Sequence, residues 1–231
     1  MALADLHRII IATALQAARS AGFRDVALGG GNALIVRAGS LRATHDVDLF
    51  CRKPADLPAL AAVVIEALEA AGYSVERRED AEGWWADDEE EQDEDSGQLV
   101  ELVVSTADGE AEAEVQIAYF DYTEDGLVPG LGPVLSRDDL AGWKTTTIAN
   151  RAAVRDYVDY ALLRRWYTME RLFELAAERD PGLTPADYAD AAVRLDRLDD
   201  KDLDPYLAPG QDAADVRAAF AGWPRGTRRD A

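Results

Sequence analysis

Cysteine is nearly absent from this chain of 231 residues: Cys51 stands alone, so no internal disulfide can form. Its place on an apolar stretch fits a small core residue. No run approaches the roughly 18 consecutive apolar residues of a membrane-spanning helix, which argues against a transmembrane segment. The N-terminal Met1-Ala2-Leu3-Ala4-Asp5-Leu6-His7-Arg8 carries an early acid within a helical pattern and lacks the layout of a secretory signal. A cytoplasmic location is expected. Positive charge is also scarce, with 24 Lys and Arg against 45 Asp and Glu and a net charge of −21. Such a balance opposes binding to an extended phosphate backbone, which is ordinarily met by clustered cations. Residues 79–95 hold eleven of the acids and no base. They read as a solvated loop between strands, or as an acidic flap for a basic partner, with Trp84-Trp85 in front of it as a contact surface.

Against these absences, one stretch stands out. Leu28-Gly29-Gly30-Gly31-Asn32 reads as a strand ending in a glycine turn, and Asp46-Val47-Asp48-Leu49 as a second strand. Alternation puts Asp46 and Asp48 on one face and Val47 and Leu49 on the other. Paired carboxylates suit a hard cation such as Mg²⁺. The glycines allow backbone N–H groups to approach a phosphate, aided by the following helix N-terminus. Metal beside a phosphate cradle is equipment for phosphoryl or nucleotidyl transfer. Asn32 is expected to cap the helix.

Periodicity predicts helices over 3–21, 32–38 and 57–71 and strands over 26–29, 46–51, 73–77, 98–105 and 112–120, the last two joined at Asp108-Gly109. Residues 121–135, with two prolines and three glycines counting Gly126, read as a loop. Beyond Ser136 the pattern is almost wholly helical, broken at Pro181-Gly182 and again around Pro205 to Pro209. The expected fold class is α/β (α+β): a small mixed-sheet domain over 1–135, then a helical bundle over 136–231 that completes the active-site cleft. No internal repeat is evident.

The run Gly30-Gly31-Asn32-Ala33-Leu34 followed by Arg42-Ala43-Thr44-His45-Asp46-Val47-Asp48-Leu49-Phe50 resembles the signature of polymerase-beta-like nucleotidyltransferases, and within them the AbiEii/AbiGii-type toxins of bacterial toxin–antitoxin and phage-defence systems. Lys144, Asn150-Arg151 and Arg155-Asp156-Tyr157-Val158-Asp159 resemble the downstream Lys…Arg…Arg-Asp-x-x-Asp segment of that family. The resemblance spans roughly residues 5–170. It implies Mg²⁺ as cofactor on Asp46 and Asp48, an NTP as substrate, and Gly30, Gly31, Asn32, Arg42 and Thr44 at the nucleotide. It also implies Lys144 neutralising the triphosphate, and Asp156 more than Asp159 as base or as orienter of Lys144. Lys144 and Asp156 would lie about 120° apart on an unbroken helix, so a break near Asn150 is needed for both to face one site. A salt bridge from Asp156 to Arg151 or Arg155 is the competing reading.

One position departs from the pattern. Where a third carboxylate is expected on a later strand, this chain has Gln116, with Glu112 and Glu114 on the same face, or Asp156, as substitutes. Arg37, Arg42 and Lys53 are the cations flanking the two motifs. His45 points away from Asp46, and His7 has no evident partner. The resemblance implies a toxin that transfers NMP to a hydroxyl, with the tRNA 3′ end as one acceptor and a cognate antitoxin as partner. A nucleotidyltransferase acting on a small cationic molecule such as an aminoglycoside, or a degenerate protein binding through its acidic segment, are the alternatives.

Overall fold

The computed structural model describes residues 3–78, 99–123 and 125–225. The acidic segment and Trp84-Trp85 lie outside the described residues. The chain divides into two compact units, one formed by Met1–Ala33 with Thr44–Ser136 and the other by Leu34–Ala43 with Arg137–Ala231.

The first unit is a seven-stranded mixed sheet with two helices. In chain order it comprises α1 (Leu3–Ser20), β1 (Val26–Leu28), the start of α2 (Gly30–Ala38), β2 (Asp46–Cys51), α3 (Leu57–Ala70), β3 (Ser74–Arg78), β4 (Leu99–Ser105), β5 (Glu112–Tyr119), β6 (Asp125–Val128) and β7 (Gly132–Leu135). The strand order is β3-β4-β5-β2-β1-β7-β6. Strand β2 runs parallel to β5, β1 parallel to β7, and the other pairs are antiparallel.

Alternation in the central strands decides which face carries chemistry. Val47, Leu49 and Cys51 of β2, Val115 and Ile117 of β5, and Val100, Leu102 and Val104 of β4 are buried. Helices α1 and α3 pack on the sheet, with Leu6, Ile10, Leu15, Leu60, Val64 and Leu68 also buried. Asp46, Asp48, Glu114, Gln116 and Glu101 occupy the half-exposed positions between. Cys51 is a core residue as expected, and burial pushes its thiol above the ordinary range.

The stretch 121–135 is not a plain loop. It folds into the β6–β7 hairpin around Pro129-Gly130, where Gly130 takes φ +80° and Leu131 N–H donates to the Val128 carbonyl. The Pro-Gly turn signal was present, but the flanking strands have only four residues each, too few to show alternation.

The second unit is helical: α4 (Arg137–Asn150), α5 (Val154–Leu163), α6 (Met169–Arg179), α7 (Pro185–Arg197), the short α8 (Asp200–Leu203) and α9 (Ala213–Ala219), together with the loop 39–43. An aromatic cluster fills the interior. Phe220 lies 4.6 Å from Tyr160 between ring centres and Trp223 4.9 Å from Tyr160, while Phe173 and Tyr188 are 4.4 Å apart. The Tyr157 hydroxyl donates to the Ala191 carbonyl at 2.8 Å. Asp139, 1 % exposed, pairs with Arg179 at 2.6 Å.

Gly142 lets α4 meet α6, because a Cβ there would stand 2.7 Å from the Leu175 carbonyl oxygen. That oxygen belongs to the backbone and cannot swing aside. Gly142→Ala is expected to lower stability by about 1–3 kcal/mol, the usual range for overpacking. Urea denaturation followed by circular dichroism measures it, and an unchanged midpoint would mean that α4 and α6 do not pack this closely.

Candidate active site

The candidate residues fall into two clusters, one in each unit. In the first unit, the Leu28–Gly31 segment turns directly from strand into helix. Gly29 N–H donates to the Asp48 carbonyl at 2.9 Å, and Gly30 takes φ +56° at the first position of α2. A Cβ on Gly30 would lie 1.6 Å from Asp48 Oδ2, so the carboxylate rests directly against the glycine backbone. No other residue fits that close approach combined with a left-handed φ.

Asn32 is not the cap expected from sequence. Helix α2 begins two residues earlier, and the Asn32 side-chain amide donates to the Asp46 carbonyl at 2.7 Å from a buried position. Thr44, also buried, donates its hydroxyl to Asp46 Oδ1 at 2.7 Å. Both residues therefore hold Asp46 at the start of β2. The reason is local: the strand begins at Asp46, and polar groups from either side satisfy its backbone and carboxylate.

The neighbouring strand supplies no third acid at the expected place. Gln116 is in register with Asp48 and Glu114 with Asp46. The Gln116 amide donates to Glu101 Oε1 at 3.0 Å, and Glu114 pairs with Arg78 at 2.8 Å. Glu112, one pair further along the strand, shares the face but is exposed. Among the described residues, no group of three or more His, Cys, Asp or Glu side chains could hold a metal ion.

The residues present do fit Mg²⁺ in its usual role beside a nucleotide. That ion keeps several waters and takes one or two carboxylates plus substrate phosphates, rather than a full protein cage. Asp46 and Asp48 are oxygen donors on one strand face, and the Asp48 carboxylate takes the place that a side chain on Gly30 would otherwise fill.

His7 does have neighbours. It lies beside Asn32, His45 and Asp46, buried, with no hydrogen-bond partner for Nε2 among the described residues. Burial lowers its pKa against the pull of the Asp46 carboxylate. Spacing carried the signal: Ile10, Ile11 and Ala14 follow His7 at i+3, i+4 and i+7, which puts it on the buried stripe of α1.

In the second unit, Asp159 is the meeting point. Its carboxylate accepts Lys144 Nζ at 2.8 Å and Arg42 Nε and Nη2 at 2.9 and 3.1 Å, while Arg42 Nη1 donates to the Ala43 carbonyl. Arg42 is buried and Lys144 nearly so. Burial opposes ionisation of Asp159, but Lys144 and Arg42 outweigh it and hold the carboxyl below the ordinary carboxylate range.

Asp156 does something else. It accepts both Arg151 Nε (2.9 Å) and Nη2 (3.0 Å), and the Ala153 N–H at 3.1 Å, closing the first turn of α5. The partner of Lys144 is thus Asp159 rather than Asp156. The expected break is present: α4 ends at Asn150, Ala152 takes φ +50°, and α5 starts at Val154. It turns α5 so that its second acid, not its first, reaches Lys144.

Arg37 lends its carbonyl to Arg137 at 2.8 Å, and Lys53 pairs with Asp25 at 3.0 Å on the surface. Neither contact involves Asp46 or Asp48.

With this geometry in place, the comparisons identify the class. A family model described as nucleotidyl transferase AbiEii toxin, type IV toxin–antitoxin system, matches residues 13–222, and the chain belongs to that family. It is therefore a nucleotidyltransferase, and membership implies an NTP substrate and an antitoxin as counterpart. The structure is similar to JHP933 from Helicobacter pylori, at 17% identity, over 95% of this chain and 89% of that one, with a TM-score of 0.59. It is also similar to MenT4, the nucleotidyltransferase toxin Rv2826c from Mycobacterium tuberculosis H37Rv, at 17% identity, over 94% and 82% of the two chains, with a TM-score of 0.53. No curated protein matches by sequence. No helix among the described residues is long and apolar enough to cross a membrane.

Asp159→Asn would remove the buried carboxylate that Lys144 and Arg42 share, at an expected cost of about 3–5 kcal/mol. Because the folded-state pKa is depressed, this stabilisation is complete above the unfolded value near pH 4 and fades as pH falls through the lower folded value. Urea titrations of both proteins should show a constant gap above about pH 4 that narrows below it. A gap that opens only on acidification would contradict the assignment.

Proposed function

We propose that the chain transfers a nucleoside monophosphate from an NTP to an acceptor hydroxyl with Mg²⁺ as cofactor, and that the acceptor is a nucleic-acid end, the tRNA 3′ end being the first candidate. The observation that carries this reading is the placement of Asp46 and Asp48 on one face of β2, with Gly30 against the Asp48 carboxylate. Asp46 and Asp48 would hold the cation. Bound there, it draws charge from the triphosphate and so lowers the barrier to attack on phosphorus.

The roles of the chain's own groups follow from their contacts. Thr44 and Asn32 fix Asp46, so the carboxylate pair keeps its spacing as phosphates enter and leave. Gly30 and Gly31 open α2, whose backbone N–H groups and dipole favour an anion. Lys144 neutralises triphosphate charge in the family pattern. Here Asp159 positions its ammonium group, and Arg42 acts through that same carboxylate rather than on phosphate. Asp156 supports the start of α5. The acceptor oxygen forms the new bond to the α-phosphorus as the bond from that phosphorus to the pyrophosphate oxygen breaks, and the hydroxyl proton passes to water.

A second reading has one observation in its favour. The half-exposed face of the sheet carries Glu101, Glu112 and Glu114 as well as the two aspartates, which would suit a cationic small-molecule acceptor such as an aminoglycoside.

Incubation with each α-labelled NTP, Mg²⁺ and total tRNA distinguishes the readings, with an aminoglycoside in a parallel reaction. Label is expected on tRNA and should fall by at least about a hundredfold in Asp48→Ala, the order lost when a metal ligand or equivalent charge stabiliser is removed. Label on the aminoglycoside alone would transfer the assignment to the small-molecule reading. No label on either acceptor from folded protein would contradict both.

A further inference from the structure

Within the second unit, a cavity of about 390 Å³ opens between the loop 39–42, α5 and the loop 208–211. That volume falls within the roughly 300–1,000 Å³ of small-molecule pockets. Two of its lining side chains are Arg42 and Asp159, buried and paired, so the cavity reaches the ion cluster that also holds Lys144. Ser40 and Gln211 add polar groups and Leu162 an apolar wall. The other carboxylate there, Asp215, accepts the Asp212 N–H at the start of α9.

An aromatic and cationic surface follows in the chain from one of the lining residues. Arg165 lines the cavity and is exposed, and the next residue, Trp166, is 53 % exposed. The Arg137 guanidinium lies 4.1 Å over the indole and is itself anchored on the Arg37 carbonyl by Nε and Nη2. Arg164 donates to the Tyr167 and Ala219 carbonyls and so fixes the turn that presents Arg165 and Trp166. In a chain of net charge −21, residues 160–169 hold two arginines, a tryptophan and no acid. A tryptophan this exposed, with a guanidinium stacked on it, is a ready-made platform for a flat π-system and a nearby phosphate.

We infer that this cavity and the Trp166 platform form the acceptor site for an unpaired nucleic-acid end, one nucleotide entering the cavity and its neighbour stacking on Trp166 beside Arg165. The inference deepens the proposed function and rests on its nucleic-acid reading. It also accounts for how a strongly acidic chain could hold such an acceptor. Stacking and a few local cations grip two or three nucleotides, without the extended basic surface that a duplex needs. Occupancy would bear directly on Arg42 and Asp159, and through Asp159 on Lys144.

The test is fluorescence anisotropy of a 5′-labelled single-stranded RNA hexamer, and a DNA hexamer of the same sequence, against the full-length protein. Both strands share the stacking chemistry, and the comparison shows whether the ribose hydroxyl contributes. Wild type is expected to bind at least one hexamer, with affinity that falls as salt rises. Trp166→Ala should weaken binding about tenfold, Trp166→Phe should restore most of it, and Arg165→Glu should weaken it further at low salt than at high salt. Both residues are exposed, so circular dichroism should report an intact fold.

No binding by wild type, or equal binding by folded Trp166→Ala and Arg165→Glu, would overturn the inference. Binding lost in Trp166→Ala and not regained in Trp166→Phe would overturn the stacking role. Thermal stabilisation of wild type by NTP and Mg²⁺ is measured alongside. Its absence would count against the proposed function, whereas its presence with no hexamer binding would count against this site alone.

Discussion

A single buried carboxylate organises the helical unit. Asp159 is 1 % exposed and carries two cations, Lys144 from α4 and Arg42 from the loop 39–43. Burying three charges has a large desolvation cost, offset only if their geometry is tight and their remaining hydrogen bonds are met. Both conditions hold for Arg42. Arg42 engages Asp159 through two nitrogens and the Ala43 carbonyl through a third. Replacing such a trio with apolar residues of similar volume is often neutral or stabilising, whereas removing one partner alone is strongly destabilising. The break between α4 and α5 serves the same cluster. Ala152 adopts a left-handed φ of 50°, a conformation costing a non-glycine residue about 1–2 kcal/mol, and Asp156 ties down the helix that follows.

The sheet unit obeys a different constraint, that of space. Asp48 and Gly30 are so close that only a hydrogen fits between the α-carbon and the carboxylate. Gly29 is pressed in the same way by the Phe50 ring, where a Cβ would lie 2.0 Å away. The glycine run therefore seats the start of α2 against β2, and with it the helix N-terminus beside the carboxylates. A helix N-terminus and the placement of a carboxylate come from one short segment, which explains why the motif reads so strongly in the sequence.

That legibility was uneven, for physical reasons. The two aspartates were readable because a strand has a strict period of two and β2 follows it without a bulge. The helical second half was readable from its periodicity and from prolines at its breaks. The β6–β7 hairpin was not, since four-residue strands carry no pattern of their own and β7 is held by pairing with β1, far away in sequence. Membership of loop 39–43 in the helical unit was equally hidden, because an ion pair spanning 117 residues has no local signature. The same limit explains Asp156 and Asp159. Both are buried acids on α5, and only the turn at Ala152 decides which meets Lys144 and which closes the helix. Gln116 stands where the family pattern leads to a third carboxylate; it is in register with Asp48, and its amide bonds to Glu101.

The central claim is that Asp46 and Asp48 hold a divalent cation together with the nucleotide. Electron paramagnetic resonance of Mn²⁺, titrated into the protein with a non-reactive NTP analogue, tests it most directly. The account predicts a bound-metal signal that depends on the analogue and disappears in the Asp46→Asn/Asp48→Asn double variant. A signal of equal strength in the folded double variant would contradict it.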